Sequence, residues 1–404
     1  MIIPRLFYKN TGSFLLVALA VVCFPLLAAE TFMPSLDFIT GKALFEKNWV
    51  PSFSSTTASD GLGPFYNARS CNQCHPDGGR GSREQSLVLH VNDPVYGQQL
   101  QKYAMAGLQR EAEVSFVFAD VNNAGKPSAP TIEVNNLSRG VMTNAALSAR
   151  IAPSLQGLGL LARIPDDLIL AMADAADSNG DGVSGRVNMI SDNAGVGSIG
   201  RFGWKAGQVS LRDQLARALS LDLGLGNPVF PSAAGDCTSV QVDCLNAPHG
   251  NSSHHDNLET NNQVLDLLLS YVSGLPAPSK TSQGASQESA GAALFQQSGC
   301  AGCHVPSLES GDFRLSAYTD LLLHDMGPGL ADNLSEGSAL GSEWRTPPLW
   351  GLGSLQRQLL HDGRATTIEE AVWWHDGEGA AARDHYGNLS QQQRNDLNAF
   401  LNGL

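Results

Sequence analysis

Two short runs of this 404-residue chain hold the residues best suited to redox or metal chemistry: Cys71-Asn72-Gln73-Cys74-His75 and Cys300-Ala301-Gly302-Cys303-His304. Each is a C-x-x-C-H pattern, which reads as c-type haem attachment. Two thiols at that spacing can add across the two vinyl groups of one porphyrin. The adjoining imidazole then reaches the iron from the same side of the ring as an axial ligand. Zinc binding or local disulfides also use C-x-x-C pairs, but both are weaker readings in a chain that opens like an exported protein. Two covalently bound c-type haems are therefore expected, on Cys71, Cys74 and His75 and on Cys300, Cys303 and His304.

Two smaller constellations accompany them. Cys237 and Cys244 are the remaining Cys pair beyond the N-terminal segment, and in an exported chain they read as a local disulfide. Asp177-Ser178-Asn179-Gly180-Asp181-Gly182 resembles the start of a calcium loop, with oxygen ligands alternating at Asp177, Asn179 and Asp181 and a Gly for the sharp turn. Asn188 stands where an EF-hand places its bidentate Glu, so the same run also reads as an Asx-stabilised turn.

The elements that must carry the motifs are helical. Gly291-Ala292-Ala293-Leu294-Phe295 opens an apolar helical pattern running into Cys300, and Leu389, Leu397, Phe400 and Leu401 mark a last amphipathic helix. Gly41-Lys42-Ala43-Leu44-Phe45 repeats the first signature upstream of Cys71, with a longer Ser-, Thr- and Gly-rich loop before the motif. A helix ahead of the haem motif and another at the chain end is the plan of a small cytochrome c lobe. The expected fold is mainly α, with two cytochrome-c-like haem lobes. The motif histidines stand 304 − 75 = 229 residues apart, whereas one lobe needs about 100, so the N-terminal lobe is enlarged by insertions. Glu113 to Asp120 and Thr131 to Val134, around a Gly-Lys-Pro turn, predict a β-hairpin within them. Helices are expected over Pro165 to Ala176, Ser210 to Leu221 and Asn262 to Ser273. Leu275 to Ser289, rich in Pro, Ser and Gln, reads as the linker between an N-terminal haem domain (30–280) and a C-terminal one (281–404).

Residues 1–29 have the form of a signal peptide: basic Arg5 and Lys9, an apolar run from Phe14 to Ala28, and a small-residue cleavage site at Ala28-Ala29. Val22 ahead of Cys23 argues against lipidation. No second apolar run of about 18 residues follows, so no integral membrane domain is expected in the mature chain and its location should be periplasmic. A formal charge of −14 makes nucleic acid and anionic membrane surfaces poor partners.

Longer stretches carry a resemblance to a family. GPFYNARSCNQCH from Gly63, PVYGQQLQ from Pro94, DSNGDGVSGR from Asp177, GRFGWKA from Gly200, LLLHDMGPGLAD from Leu321, EWRTPPLWGLG from Glu343 and LHDGRATTIEEAVWWHDGE from Leu360 span most of the chain. They resemble the bacterial di-haem oxidoreductases, in the superfamily of di-haem cytochrome c peroxidases and the methylamine-dehydrogenase maturation enzyme. The resemblance implies two facing cytochrome-c-like lobes. It implies peroxide chemistry at the N-terminal haem and entry of electrons from a redox partner, such as a small cytochrome, at the C-terminal one. It also implies a distal ligand for the C-terminal haem 14 residues after His361, at His375, where the peroxidases have Met and the maturation enzyme Tyr. Two imidazoles favour ferric iron more than His–Met does, so the expected potential is lower. His324, Met326, His361 and His385 are the alternatives at that position, with His361 better suited to supporting the haem pocket.

Arg345 and Arg364 can pair with haem propionates. Trp373 or Trp374 can pack against the porphyrin edge. For the N-terminal haem the candidate sixth ligands are His90, Met105, Met142, His254 and His255, with His90 best placed. Glu111 and Glu113 lie where relatives keep a distal acid. Two classes of function follow: a peroxidase-like enzyme, or a di-haem electron carrier whose two irons are both fully ligated.

Overall fold

The computed structural model describes residues 34–404 apart from 57, 119–128, 144–145, 192–194, 282–283 and 354–357. The expected signal peptide lies outside the described residues, as does the Gly-Lys-Pro turn of the predicted hairpin.

The repeated Gly-x-Ala-Leu-Phe signature builds the same crossing twice. Helix Leu36–Glu46 starts at Ser35, whose hydroxyl accepts from Phe38 N at 3.1 Å, and it packs against helix Asn262–Gly274. A Cβ on Gly41 would lie 2.0 Å from Leu267 O and 2.8 Å from Tyr271 Cβ, so only Gly admits this approach of backbones. Phe45, one turn on, is 1% exposed and meets the Tyr271 ring at 5.1 Å. In the second copy, helix Ala285–Gln297 packs against the last helix, Gln391–Gly403. There a Cβ on Gly291 would lie 2.4 Å from both Asp396 O and Phe400 Cβ, and Phe295 meets Phe400 at 5.6 Å. Ser390 and Gln393 close a capping box at the start of the last helix.

Besides the two helix pairs the chain forms a further long helix, Leu211–Leu223, and several small antiparallel sheets. Strand Val88–Asp93 lies between Gly97–Leu100 and Ser148–Arg150. Glu113–Val117 pairs with Thr131–Asn135 as the predicted hairpin. Leu323–Asp325 pairs with Glu343–Arg345. The largest apolar cluster gathers Phe45, Leu215, Leu219, Leu265, Leu268 and Trp350, and a second gathers Phe295, Tyr386, Leu397 and Phe400. Ser35–Leu404 forms one compact unit. Cys237 and Cys244 are disulfide-bonded, while Cys71, Cys74, Cys300 and Cys303 are free thiols. Among the described residues no helix is long and apolar enough to cross a membrane.

Two boundaries differ from expectation. The helix after Pro165 covers only Asp166–Met172. Beyond it Asp174 N donates to Gly185 O at 2.9 Å and the Asp174 carboxylate takes Ser178 N, which turns the chain into the Asp177 loop. The expected linker also ends early, because Ala285 to Ser289 already lies in the helix that leads to Cys300.

Candidate functional site

Cys71–Cys74 is a single helical turn capped by Ser70, whose hydroxyl accepts from Gln73 N at 3.3 Å. His75 N donates to Cys71 O at 2.9 Å, which presents both thiols and the imidazole to one cavity of about 240 Å³. The His75 Nδ1 lies 2.9 Å from Pro153 O. That bond fixes Nδ1 as the donor and leaves Nε2 with its lone pair, the arrangement of a metal-ligating His. Burial holds the imidazole neutral, with its pKa lowered to about 4. Burial, together with the charge of the other thiol and of Asp222, raises Cys71 to about 12; Cys74 rises likewise, through burial and Asp222. Leu155, Leu215, Val272 and Trp350 give the cavity apolar walls, and Arg80, Arg150, Arg217 and Arg345 reach it from four separate segments.

At the second motif His304 repeats the geometry. Its Nδ1 lies 3.0 Å from Tyr318 O, and burial, then the charge of His375, lowers its pKa to about 4. His375 follows the helix Ile368–Trp373, which opens with a Thr367/Glu370 capping box. Its backbone N donates to Val372 O at 3.0 Å and its Nδ1 lies 2.8 Å from Ala371 O. The structure thus brings His375 within electrostatic reach of His304, with Nδ1 of each ring occupied and Nε2 of each free.

The other candidates stand in different surroundings. His324 lies 2.9 Å from Asp320 and 2.7 Å from Glu378 through its two ring nitrogens, and Nδ1 also stands 3.7 Å from Cys303 Sγ. Burial opposes its charge, but these partners prevail and raise it to about 12, so it is an imidazolium with no lone pair to give. His361 stacks on Trp344 with ring centroids 3.8 Å apart. His385 is exposed, and Met326 packs in the cluster that holds Trp374.

Of the N-terminal candidates only His90 lines the cavity. Met105 is buried elsewhere, Met142 packs beneath the hairpin, and His254 and His255 are exposed on a short turn. Glu111 is a correction: it lies outside the cavity lining, where it accepts from Gln101 N at 2.7 Å and from the Gln241 amide. Burial raises its pKa to about 8. Glu113 is exposed on its strand. Arg345 lines the His75 cavity, whereas Arg364 pairs with buried Asp362 at 2.7 Å and lies over the Trp374 ring.

The family model described as "di-haem oxidoreductase, putative peroxidase" matches residues 114–404, a span that contains Cys300, Cys303, His304 and His375. The chain belongs to the di-haem oxidoreductase family. No curated protein matches this di-haem oxidoreductase in sequence. Solved structures similar to it include hydrazine synthase of Kuenenia stuttgartiensis, 13% identical over 99% of each chain with a TM-score of 0.37. The diheme peroxidase BthA from Burkholderia thailandensis is 15% identical, over 92% of this chain and 87% of that one, with a TM-score of 0.44. A MauG-like protein associated with microbial copper homeostasis is 16% identical, over 60% of this chain and 90% of that one, with a TM-score of 0.32.

The family implies two haem cofactors, and the side chains fit them. Each motif offers two free thiols and a neutral imidazole already fixed through Nδ1, and the first adds apolar walls and guanidinium groups for propionates. Among the described residues no three His, Cys, Asp or Glu side chains are grouped so as to hold a metal ion. Three features of the di-haem oxidoreductase had no local signal in the sequence: the His324 clamp, the approach of Arg80 to the cavity, and Arg217. One apolar cluster joins Trp204, on the cavity wall, to Trp344 and Trp374, the neighbour of His375. Trp373 instead meets Tyr386 edge-on at 6.0 Å.

The Asp177 loop closes on itself. Asp177 accepts from Gly182 N at 3.2 Å, Asn179 Oδ1 from Asp181 N at 2.9 Å, and Asp181 Oδ1 from Val183 N at 2.9 Å. Asn188 is buried away from the loop, with Nδ2 donating to Lys205 O at 2.7 Å and to Glu336 O at 2.8 Å. An ion bound only by the folded state stabilises it by mass action. For a loop closed by its own hydrogen bonds the expected melting temperature is the same with calcium and with chelator. A rise with calcium that Asp177→Ala abolishes would instead place the ion on Asp177, Asn179 and Asp181.

Proposed function

We propose that this chain is an exported, periplasmic di-haem c-type oxidoreductase of peroxidase kind, with residues 30–280 and 281–404 as two cytochrome-c-like lobes. Haem held covalently at each motif would supply the redox chemistry, the C-terminal one taking electrons from a redox partner and the N-terminal one delivering them to peroxide. The observation that carries this reading is the asymmetry of the two sites. His304 has His375 within electrostatic reach, a second imidazole whose Nδ1 is fixed on Ala371 O. His75 instead faces a cavity into which His90, Asp222 and Arg217 also look.

The protein's own groups there can bind and move protons. Burial raises Asp222 to about 6, so its carboxyl can hold a proton near neutral pH. Burial, with Arg150 and Arg217 close by, keeps His90 a neutral imidazole. His90 is also the observation that favours a second reading. Bound to the N-terminal iron, it would leave two fully ligated haems and an electron carrier.

Two measurements separate the readings. The pyridine haemochrome assay and intact mass should give two haems per chain in protein matured with the cytochrome c machinery; one or none defeats both. Spectra of the ferric and half-reduced protein should show a high-spin or ligand-exchangeable N-terminal iron. Two low-spin irons in every redox state would make the chain a carrier.

A further inference from the structure

Four guanidinium groups line the His75 cavity, and their partners differ. Arg150 is neutralised, with NH2 2.9 Å from Asp332 and NH1 on Glu336. Arg80 and Arg345 touch no carboxylate among the described residues. Arg80 Nε donates to Gln358 O at 2.8 Å, and Arg345 donates to Gly203 O at 3.0 Å and Thr346 O at 3.1 Å. These two meet at Trp204: Arg80 lies over the indole at 5.2 Å, and the Arg345 backbone N donates to Trp204 O at 2.9 Å.

Arg217, on helix Leu211–Leu223, is different again. Its side chain makes no hydrogen bond and no ion pair with any described residue; Glu336, Asp222 and Asp236 act on it as more distant charges. Its neighbour His90, on the opposite wall element Val88–Asp93, has its backbone in the sheet and neither ring nitrogen bonded. A guanidinium carries five donors and cannot shed its charge, so one that lines a cavity without a protein acceptor is suited to an anion from outside the protein.

A haem brings two carboxylates, and the adjacent Arg80 and Arg345 at Trp204 suffice for two. Arg217 is a third cation with no carboxylate bonded to it among the described residues, on a different element. We propose that Arg217 and His90 form a binding position for a small monovalent anion, of the class of hydroperoxide or azide, inside the N-terminal haem cavity. Arg217 supplies the charge and paired N–H donors, and His90 supplies one further hydrogen bond. The proposal rests on reading this cavity as a haem site and adds to it the charge of the preferred ligand.

The test is a titration of the ferric di-haem protein with azide, and separately with neutral imidazole, followed in the Soret band. Haem content and melting temperature are measured first for each variant. Arg217→Gln should weaken azide binding roughly tenfold or more while leaving imidazole binding unchanged. Arg217→Lys, which keeps the charge but not the planar fork, should recover part of the loss. Equal azide affinity in wild type and Arg217→Gln overturns the proposal. So does a parallel loss of azide and imidazole binding together with haem, which would make Arg217 a propionate partner. Wild-type protein that carries two haems yet binds no azide in any redox state overturns it as well. A wild type lacking haem at Cys71 and Cys74 overturns the functional reading instead, and the two failures are thereby distinct.

Discussion

Replacing His375 with Ala is expected to turn one of the two haems from low spin to high spin and to leave the other unchanged. The geometry behind this result is local. Ile368–Trp373 ends one residue short of Trp374, and the last turn is closed by His375 N on Val372 O at 3.0 Å. The ring is then pinned by Nδ1 against Ala371 O at 2.8 Å, so its freedom about the side-chain torsions is spent before any metal arrives. Gly379 faces it so closely that a Cβ there would lie 3.0 Å from His375 Cβ. His324 cannot take over, because it is locked as a cation between Asp320 and Glu378. The Ala variant thus cannot draw on that imidazole. His375→Met should keep that haem low spin and raise its potential within the roughly 0.8 V range that axial ligands span, because thioether favours ferrous iron. Electron paramagnetic resonance and a potentiometric titration read both outcomes. An unchanged spectrum in the Ala variant would move the ligand to Met326.

What could be read from the residues in order, and what could not, divides along the range of the interaction. The haem motifs are local because two thioethers and one axial ligand on one porphyrin require a fixed spacing. The paired helices are nearly as local: Gly41 and Gly291 each admit a crossing backbone, and Phe45 and Phe295 each fill the space one turn later. The hairpin at Glu113 is visible as alternation along two strands. His375 was reached by kinship with a family, and the structure supplies the backbone bond that spacing alone lacks. The cavity is another matter. His75, His90, Arg217 and Arg345 come from a helical turn, a sheet, a long helix and a late strand. No periodicity links them, so nothing in the sequence order singled out Arg217. The length of Asp166–Met172 was misjudged for a related reason. Its end is set by Asp174, whose partners Ser178 and Gly185 lie beyond the helix.

The second large effect is expected at Asp332, far in sequence from either motif. Its carboxylate holds two buried cations at once: Arg150 NH2 on Oδ2 and Lys205 Nζ on Oδ1, each at 2.9 Å. Ser148 Oγ donates to Oδ2 at 2.7 Å and Leu334 N to Oδ1 at 3.0 Å. The Lys205 side chain is 0% exposed and that of Asp332 3%, so water cannot replace what is lost. Asp332→Ala leaves two cations on one remaining carboxylate, Glu336, and breaking a buried pair in this way costs about 3–5 kcal/mol. Asp332→Asn keeps an acceptor for one cation and should lose less. As a control, Glu309→Ala removes the exposed partner of Arg314, whose side chain is 72% exposed, and should leave the denaturation midpoint where it was. Denaturant titration of the haem-loaded protein, followed by far-ultraviolet circular dichroism, orders the three. The network also fixes the cavity wall, since Arg150 and Glu336 both line it. The Asp332→Ala protein should therefore lose haem from Cys71–Cys74 maturation before it loses haem at Cys300–Cys303. Equal loss at both motifs would mean that the network stabilises the whole unit and has no special hold on the N-terminal site.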